Sequence, residues 1–275
     1  MNKNIKAISF DICFLKEDNR KYKLESIFKN SINFINEKGD ILTLNNKLGF
    51  LRSITLNNDD FIKIKNKLEI NGSLYIINNN LQIKDIEILL EKSNSRDFLF
   101  DFSKININFF ENNIDKILEN LKEETSQGII QLFQNKRNMI NEYLFNKIKE
   151  IDNNKNNITD FSMEILKYYS AGIGSTPSVD DAIVGMIIIA KAYNDDISVF
   201  KNNYNKTTNI SRNMILNIID NRASDNIKNL YENDDINRVL ELVKEIGSSS
   251  GIDMIVGTFL YIKKRRGEFC LRSSL

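Results

Sequence analysis

Residues 172–186 read GIGSTPSVDDAIVGM, a polar loop containing glycine that is followed at once by an apolar helical pattern. Pro177, the only proline among the 275 residues, lies at the junction. Proline suits the first position of a helix, because the N–H that it lacks would be unpaired there and its φ is already helical. The stretch therefore predicts a helix that begins at Pro177, with Thr176 as the N-cap and with Asp180 and Asp181 in the first turn.

Apolar residues recur at helical spacing on both sides of this stretch, from about residue 110 onward. The pattern between residues 129 and 148 predicts one long helix. After a polar break, the predicted helices span residues 158–169, 180–193, 209–222, 235–246 and 251–264. The second half of the chain is thus predicted to be entirely helical.

The first 105 residues carry the signals of β-strands instead. Short apolar runs are separated by turn residues, such as Glu37–Asp40 with its glycine and the Asn71-Gly72 pair that is typical of a tight hairpin. The sequence therefore predicts an α+β fold, with a β-rich, barrel- or sandwich-like domain over residues 1–105 and a larger all-helical domain over residues 106–275.

Composition limits the classes of partner. Lys+Arg is 38 and Asp+Glu is 37, so the net charge of +1 gives no electrostatic reason to expect nucleic acid. The two cysteines form no CxxC motif, the N-terminal stretch lacks the pattern of a signal peptide, and the longest apolar run, residues 182–192, is too short to cross a bilayer. We therefore expect a cytoplasmic protein that binds neither nucleic acid nor a membrane.

The chain contains no histidine. That excludes Ser-His-Asp and Cys-His catalysis, a histidine general base and histidine-ligated zinc. Chemistry in this protein has to rest on backbone amides, hydroxyls, carboxylates, lysine or tyrosine. The sequence singles out no catalytic residue.

Three predicted helix starts share small and hydroxylated residues ahead of an apolar helix. Unpaired N–H groups, a partial positive charge and added hydroxyl donors suit such a start to a phosphate or carboxylate. The candidate binding residues are Gly174, Thr176, Ser178, Asp180 and Asp181 at the first start, Thr207, Thr208 and Ser211 at the second, and Ser248, Ser249, Ser250, Gly251 and Asp253 at the third. For the second and third starts taken alone, an ordinary cap or turn is the simpler explanation.

The aspartates at these starts add another possibility. Asp180 and Asp181 point about 100° apart on a helix, so one can hold the loop while the other faces a site. If the first and third starts meet, Asp180 or Asp181 could share a Mg²⁺ ion with Asp253, or the acids could bind a substrate amide. No other cofactor is predicted.

The motifs TPSVDDAIVG and SSSGIDMIVG resemble two patterns of one family, TPSGDDFLVG and a Ser-Gly-x-Asp-Met-Leu-x-Gly segment. Between them, Thr207-Thr208-x-Ile210-Ser211 is similar to a Thr-Thr-x-Ile-Ser segment of the same family. The family, formerly known only as a domain of unknown function, is that of the H-type subunit of oxamate carbamoyltransferase. The resemblance covers about residues 165–262, and the N-terminal half matches only in style.

The resemblance implies a cytoplasmic transferase subunit from anaerobic allantoin and purine breakdown that acts with companion subunits. In the reaction, oxalurate and phosphate give oxamate and carbamoyl phosphate. The expected partners are therefore small anions, namely carbamoyl phosphate, oxamate or phosphate. Such a phosphorolysis requires anion binding and stabilisation of an oxyanion, which helix N-termini and hydroxyls supply.

The chain departs from the family pattern at two positions. Two other hypotheses about its function also stay open. Val179 replaces a glycine and Ser175 a leucine; a β-branched residue at 179 disfavours a positive φ there, so the site is expected to be altered. In one alternative, the helical domain is a non-catalytic assembly or binding module of a multi-subunit acyl- or carbamoyl-transfer complex, and its glycines only allow close packing. A nucleotide-dependent kinase or hydrolase ranks last, because the chain has no P-loop motif.

Overall fold

The chain divides into two compact units in the computed structural model: residues 1–99 with 223–225, and residues 100–222 with 226–275. The fold is α+β, as predicted, with strands in the N-terminal part and helices after them. The structure describes residues 3–16, 19–68, 72–124, 128–134, 139–154, 157–172, 174–201 and 204–270.

The described strands of the first unit form one sheet. They are β1 (Lys3–Lys6), β2 (Ser9–Asp11), β3 (Lys21–Ile27), β4 (Ser31–Ile35), β5 (Ile41–Asn45), β6 (Ser53–Thr55), β7 (Ser73–Ile77), β8 (Asn80–Ile83), β9 (Ile86–Leu89) and β10 (Asn94–Arg96). Their order in the sheet is β1-β9-β8-β7-β3-β4-β5-β6-β2-β10. Most neighbouring pairs are antiparallel, while β1 with β9, β5 with β6 and β2 with β10 are parallel.

The sheet curls until its two ends meet. Only Ala7 and Ile8 separate β1 from β2, yet β1 is the first strand in the strand order and β2 is the last but one. The Ala7 N–H donates to the Leu89 carbonyl at 3.0 Å, and the Ile8 N–H donates to the Thr55 carbonyl at 2.8 Å. Because one short segment pairs with both ends, the sheet must close around its core, which fits the barrel-like prediction.

Apolar side chains from alternate strand positions fill the interior of this unit. Tyr22, Ile32, Phe34, Leu42 and Leu44 are completely buried there. A helix that the sequence patterns did not predict, α1 (Asn58–Lys67), adds Phe61 and Ile64 to the same core. Its N-cap is Asn57, whose side chain accepts the Asp60 N–H.

The turn signals were partly correct. Residues 37–40 join β4 to β5 as predicted, with Gly39 at φ 82° and the Asn36 side chain accepting two N–H groups of the turn. The expected Asn71-Gly72 hairpin lies in part outside the described residues.

The α-helices that follow the sheet in the described part of the chain are α2 (Ile107–Leu121), α3 (Met139–Asn154), α4 (Ile158–Ile165), α5 (Ser178–Ala192), α6 (Ser198–Lys201), α7 (Asn209–Ile219), α8 (Asp225–Tyr231), α9 (Ile236–Glu245) and α10 (Ser250–Arg265). Within those residues, none of the helices combines the length and the apolar character needed to cross a membrane.

The prediction of one long helix between residues 129 and 148 was wrong. Ile129–Phe133 is a short 3₁₀ helix, and α3 is a separate element. The 3₁₀ helix ends because Gln134 has an extended backbone, with φ −99° and ψ 151°. Apolar spacing alone did not reveal this break, since both pieces bury residues at helical intervals.

Helices α5 and α10 cross in closer contact than any other described pair of helices. Nearly every residue of both is buried, and two glycines make the approach possible. A Cβ on Gly185 would overlap the Met254 carbonyl oxygen, and a Cβ on Gly257 would overlap the Ala182 carbonyl oxygen. The last glycine of each family-like motif is therefore required for backbone packing.

The C-terminal end of α10 is fixed by a buried ion pair. The Lys264 Nζ donates to the Asp152 carbonyl at 2.6 Å and to Asp152 Oδ1 at 2.8 Å, and both side chains are almost fully buried. Here the buried carboxylate has a cation and a short hydrogen bond, as a buried charge requires.

Replacing Gly257 with alanine should destabilise the helical unit, although alanine favours a helix over glycine. The added methyl group meets main chain, which cannot rotate away, so α5 and α10 must move apart. We expect a loss of about 3 kcal/mol in the free energy of unfolding, measured with urea. Asn237→Ala on the exposed side of α9 is the control and should change it by about 0.5 kcal/mol or less. Equal stability of Gly257→Ala and the wild type would contradict the close crossing.

Candidate functional site: buried aspartates at three helix starts

The start of α5 differs from the predicted cap. Pro177 occupies the N-cap position with ψ 145°, and Ser178 is the first helical residue. The Pro177 carbonyl accepts the N–H groups of Asp180 at 2.9 Å and Asp181 at 3.2 Å. The expectation that Thr176 caps the helix was wrong, because the extended backbone at Pro177 begins the helix one residue later. Both aspartates do lie in the first turn, as predicted.

The three predicted helix starts lie together. The Thr176 and Ser250 hydroxyl oxygens are 3.2 Å apart, which joins the starts of α5 and α10. The Thr208 hydroxyl donates to the Ser175 carbonyl at 2.8 Å, which joins α7 to the same loop. Thr208 is also the N-cap of α7 and accepts the Ser211 N–H. The sequence motifs thus converge at one place, although their residues are up to about 80 positions apart in the chain.

Asp180 holds the loop in front of α5. Its carboxylate accepts the Ser170 N–H at 2.9 Å and the Thr207 hydroxyl. Burial raises its pKa, while the donors Thr207, Ser170 and Ser211 oppose that rise. Since its oxygens are engaged by the loop and by Thr207, Asp180 has a structural role.

Asp181 is buried without comparable partners. Its side chain is 0% exposed, and among the described residues neither carboxyl oxygen has a hydrogen-bond partner. Burial raises its pKa well above the usual range. The hydroxyls of Ser250 and Thr176 are near enough to oppose that rise, but they contact each other, and the charge of Asp253 adds to it. Burial of this kind favours the neutral, protonated form of the carboxyl.

Asp253, at the start of α10, is also 0% exposed and only partly satisfied. Its Oδ1 accepts the Ile129 N–H at 2.7 Å, whereas its Oδ2 has no hydrogen-bond partner in the described part of the chain. Burial raises its pKa to about 7, and the N–H of Ile129 and the hydroxyl of Ser178 limit the rise.

Sequence reasoning missed Gly128 and Ile129, which complete this site. Gly128 has φ 86°, and a Cβ there would lie 2.5 Å from Asp253 Oδ1. Glycine is needed both for the positive φ and for the approach of the carboxylate. The signal in the sequence was a glycine directly ahead of an apolar run.

The backbone donors of these helix starts are largely paired. The Val179 N–H donates to the Ala171 carbonyl at 3.1 Å, the Gly251 N–H to Ile246 at 2.9 Å, and the Asp253 N–H to Ser249 at 2.9 Å. An anion at these helix ends would therefore depend mainly on the hydroxyls. The buried carboxyl oxygens, in contrast, offer lone pairs that no described donor uses.

The remaining predicted residues surround this centre. Gly174 and Ser248 are exposed, Ser249 is the N-cap residue of α10, and Gly251 packs against the Val243 carbonyl. Val179, where the family pattern has glycine, is fully buried inside the first turn of α5 and is not among the residues with positive φ. The helical backbone at this position therefore needs no glycine in this chain.

The three aspartates do not form a metal centre in the described structure. No group of three or more Asp, Glu or Cys side chains among those residues is arranged to hold a metal ion. Asp180 is occupied by the loop and by Thr207. The Mg²⁺ site predicted at Asp180, Asp181 and Asp253 is not supported by this donor set.

By its geometry, this is an α+β protein whose helical part contains a buried pair of acids, Asp181 and Asp253, where several helices begin. Residues 169–262, about a third of the chain, match the family model described as oxamate carbamoyltransferase subunit AllH. This match agrees with the family resemblance of the three motifs, and its span contains every predicted site residue. Comparison with curated proteins and with solved structures gives no significant match.

The protein should lose stability as the pH rises from about 4 to about 7. The folded pKa of Asp253 is about 7, above the ordinary value near 3.9, so in this window the folded state binds more protons than the unfolded chain. The free energy of unfolding then falls by up to about 1.4 kcal/mol per pH unit for this group and levels off at higher pH. Asp181 acts in the same direction.

Asp253→Asn, which is neutral at every pH, should remove the contribution of Asp253 to this slope. Urea unfolding at about pH 5 and about pH 7.5 measures it. Asp234→Asn, on an exposed carboxyl, should keep the wild-type slope. An identical slope in Asp253→Asn and the wild type would show that Asp253 is ionised in the folded protein at both pH values.

Proposed function

We propose that the protein is a subunit of a carbamoyltransferase of the oxamate type. The helical unit binds a small carbamoyl or phosphate substrate where α5, α7 and α10 begin. The observation that carries the proposal is the convergence of the three family-like motifs, with Thr176 and Ser250 in contact and Asp181 and Asp253 buried beside them. The family match over residues 169–262 supports the reaction class.

The chemistry divides among the available groups. In the expected reaction, an oxygen of hydrogen phosphate attacks the carbamoyl carbon of oxalurate, the C–N bond to the oxamate nitrogen breaks, and that nitrogen takes up the proton that the phosphate loses. Hydroxyl donors at Thr176, Ser178 and Ser250 suit the anionic oxygens of the substrate. Donors aimed at a developing oxyanion contribute strongly in a site from which water is excluded. The carboxyl oxygens of Asp181 and Asp253 suit the N–H groups of the carbamoyl group.

A subunit of this kind works with companion subunits, because the family name describes one part of an enzyme. We propose that it acts in the cytoplasm, in the anaerobic breakdown of allantoin and purines. Companion chains would supply the cationic groups that this site lacks, since no lysine or arginine among the described residues acts on Asp181 or Asp253.

A non-catalytic assembly module is the second candidate, and a specific observation favours it. Gly185, Gly251 and Gly257 each face a backbone carbonyl, so these motif glycines serve packing. The acids are sealed beneath the loop rather than open to water. In this account the motifs preserve a rigid helical scaffold, and the companions bind the substrate.

Isothermal titration with carbamoyl phosphate, oxamate and phosphate separates the two candidates. We expect the full chain to bind at least one of them, and Thr176→Val and Ser250→Ala to weaken that binding by about 10-fold each, because each removes a donor to a charged group. Ser103→Ala, an exposed hydroxyl far along the chain, is the control and should bind as the wild type does. Binding unaffected by Thr176→Val and Ser250→Ala, or absent altogether, would favour the assembly module.

A further inference from the structure

Asp181 and Asp253 differ from every other buried aspartate in the described chain, because each has an oxygen without a partner. Asp11 accepts two backbone N–H groups, Asp152 has Lys264, and Asp180 has Ser170 and Thr207. Buried polar atoms are nearly always hydrogen-bonded, and an unpaired one commonly marks a site where a ligand binds. Both oxygens of Asp181 and Oδ2 of Asp253 fall in this class.

The two carboxyls are also close enough to interact. The charge of Asp253 acts on Asp181, and hydroxyls lie beside both carboxyls: those of Thr176 and Ser250 beside Asp181, and those of Ser178 and Ser249 beside Asp253. Among the described residues, no lysine or arginine acts on either carboxyl. Each of two carboxyls in a dry site disfavours the ionised form of the other, and the proton stays on the one with fewer donors. Asp253 receives the Ile129 N–H, so the proton belongs on Asp181.

We propose that Asp181 and Asp253 hold one proton between them and act as the specificity-determining pair for a primary amide or carbamoyl group. Neutral Asp181 donates its O–H to the amide oxygen, and ionised Asp253 accepts an N–H of the amide nitrogen. A protonated buried aspartate is an established kind of hydrogen-bond donor in enzymes. This inference rests on the proposed function and adds which part of the substrate these residues read.

The pair also explains why the site would reject close analogues. A ligand carboxylate in place of the amide brings a negative charge toward Asp253 and has no N–H to donate. A methyl group in place of the amino group leaves the Asp253 oxygen buried and unpaired. Sites built around buried polar partners discriminate strongly against ligands that lack the matching group.

Access to the pair is controlled by the contact between Thr176 and Ser250. These two hydroxyls are partly exposed, whereas the acids beneath them are not. The loop ahead of α5 contains Ser170, Gly172 and Gly174, all at positive φ, and a Cβ on Gly174 would meet nothing within 4 Å. Because the acids lie beneath them, binding of a ligand to the proposed pair requires these two hydroxyls to separate.

Titration of the full chain with two matched pairs of ligands tests the inference. Oxamate and oxalate differ by an amide and a carboxylate, and carbamoyl phosphate and acetyl phosphate differ by an amino and a methyl group at equal charge. We expect the amide member of the pair that binds to bind about 100-fold more tightly than its analogue. Asp253→Asn should abolish this preference, whereas Asp181→Asn, which keeps a neutral donor, should retain most of it. Asp234→Asn is the exposed control.

The outcomes separate this inference from the proposed function. Equal binding of amide and analogue by the wild type would overturn the inference and leave the proposed function standing. A preference that persists in Asp253→Asn, in a variant that folds, would also overturn it. If Asp253→Asn does not fold, the wild-type preference and its retention in Asp181→Asn decide the matter. No binding of any of the four ligands would overturn the proposed function itself.

Discussion

The close contact between α5 and α10 is the constraint on which the helical unit depends. Gly185 and Gly257 allow each helix to place a backbone carbonyl where a side chain would otherwise be. This contact brings the starts of the two helices together, so that Thr176 and Ser250 touch. It also removes the acids in their first turns from water. The packing and the candidate site therefore have the same cause. The motif glycines let α5 and α10 approach closely, and the aspartates lie where the two helices begin.

The buried aspartates differ in the free-energy cost of their burial, because some have hydrogen-bond partners and others do not. A buried oxygen without a partner costs about 1–3 kcal/mol, and the apolar length of α5 and α10 offsets that loss. Lys264 near the C-terminal end of α10 donates to Oδ1 of the buried Asp152, which shows how this chain pairs a buried carboxylate with a cation. Asp181 and Asp253 lack such a partner. Natural proteins break the rules of polar satisfaction chiefly at functional sites, and this contrast indicates where the helical unit does so.

The sequence predicted the α+β fold and most helices of the second half, because their apolar spacing is long and regular. It did not predict the break at Gln134, because apolar residues recur at helical spacing on both sides of the polar run 134–138, nor α1, whose helical pattern is short. The convergence of the helix starts follows from packing over long distances, which local patterns do not contain. Asp180 and Asp181 are equivalent in the sequence pattern. Only the structure shows that Ser170 and Thr207 bind Asp180, so that Asp181 is the one without these donors. The sequence patterns did not single out Gly128, although this glycine directly precedes an apolar run.

The charge state of Asp181 and Asp253 tests the central claim most directly. Carbon-13 NMR of the wild-type chain, labelled at the aspartate carboxyls and assigned with Asp181→Asn and Asp253→Asn, reports each titration separately. The account predicts that Asp181 remains protonated at neutral pH and that Asp253 titrates near pH 7. Two carboxyls that are both ionised by about pH 5 would contradict it, because exposed or well-paired aspartates behave in that way.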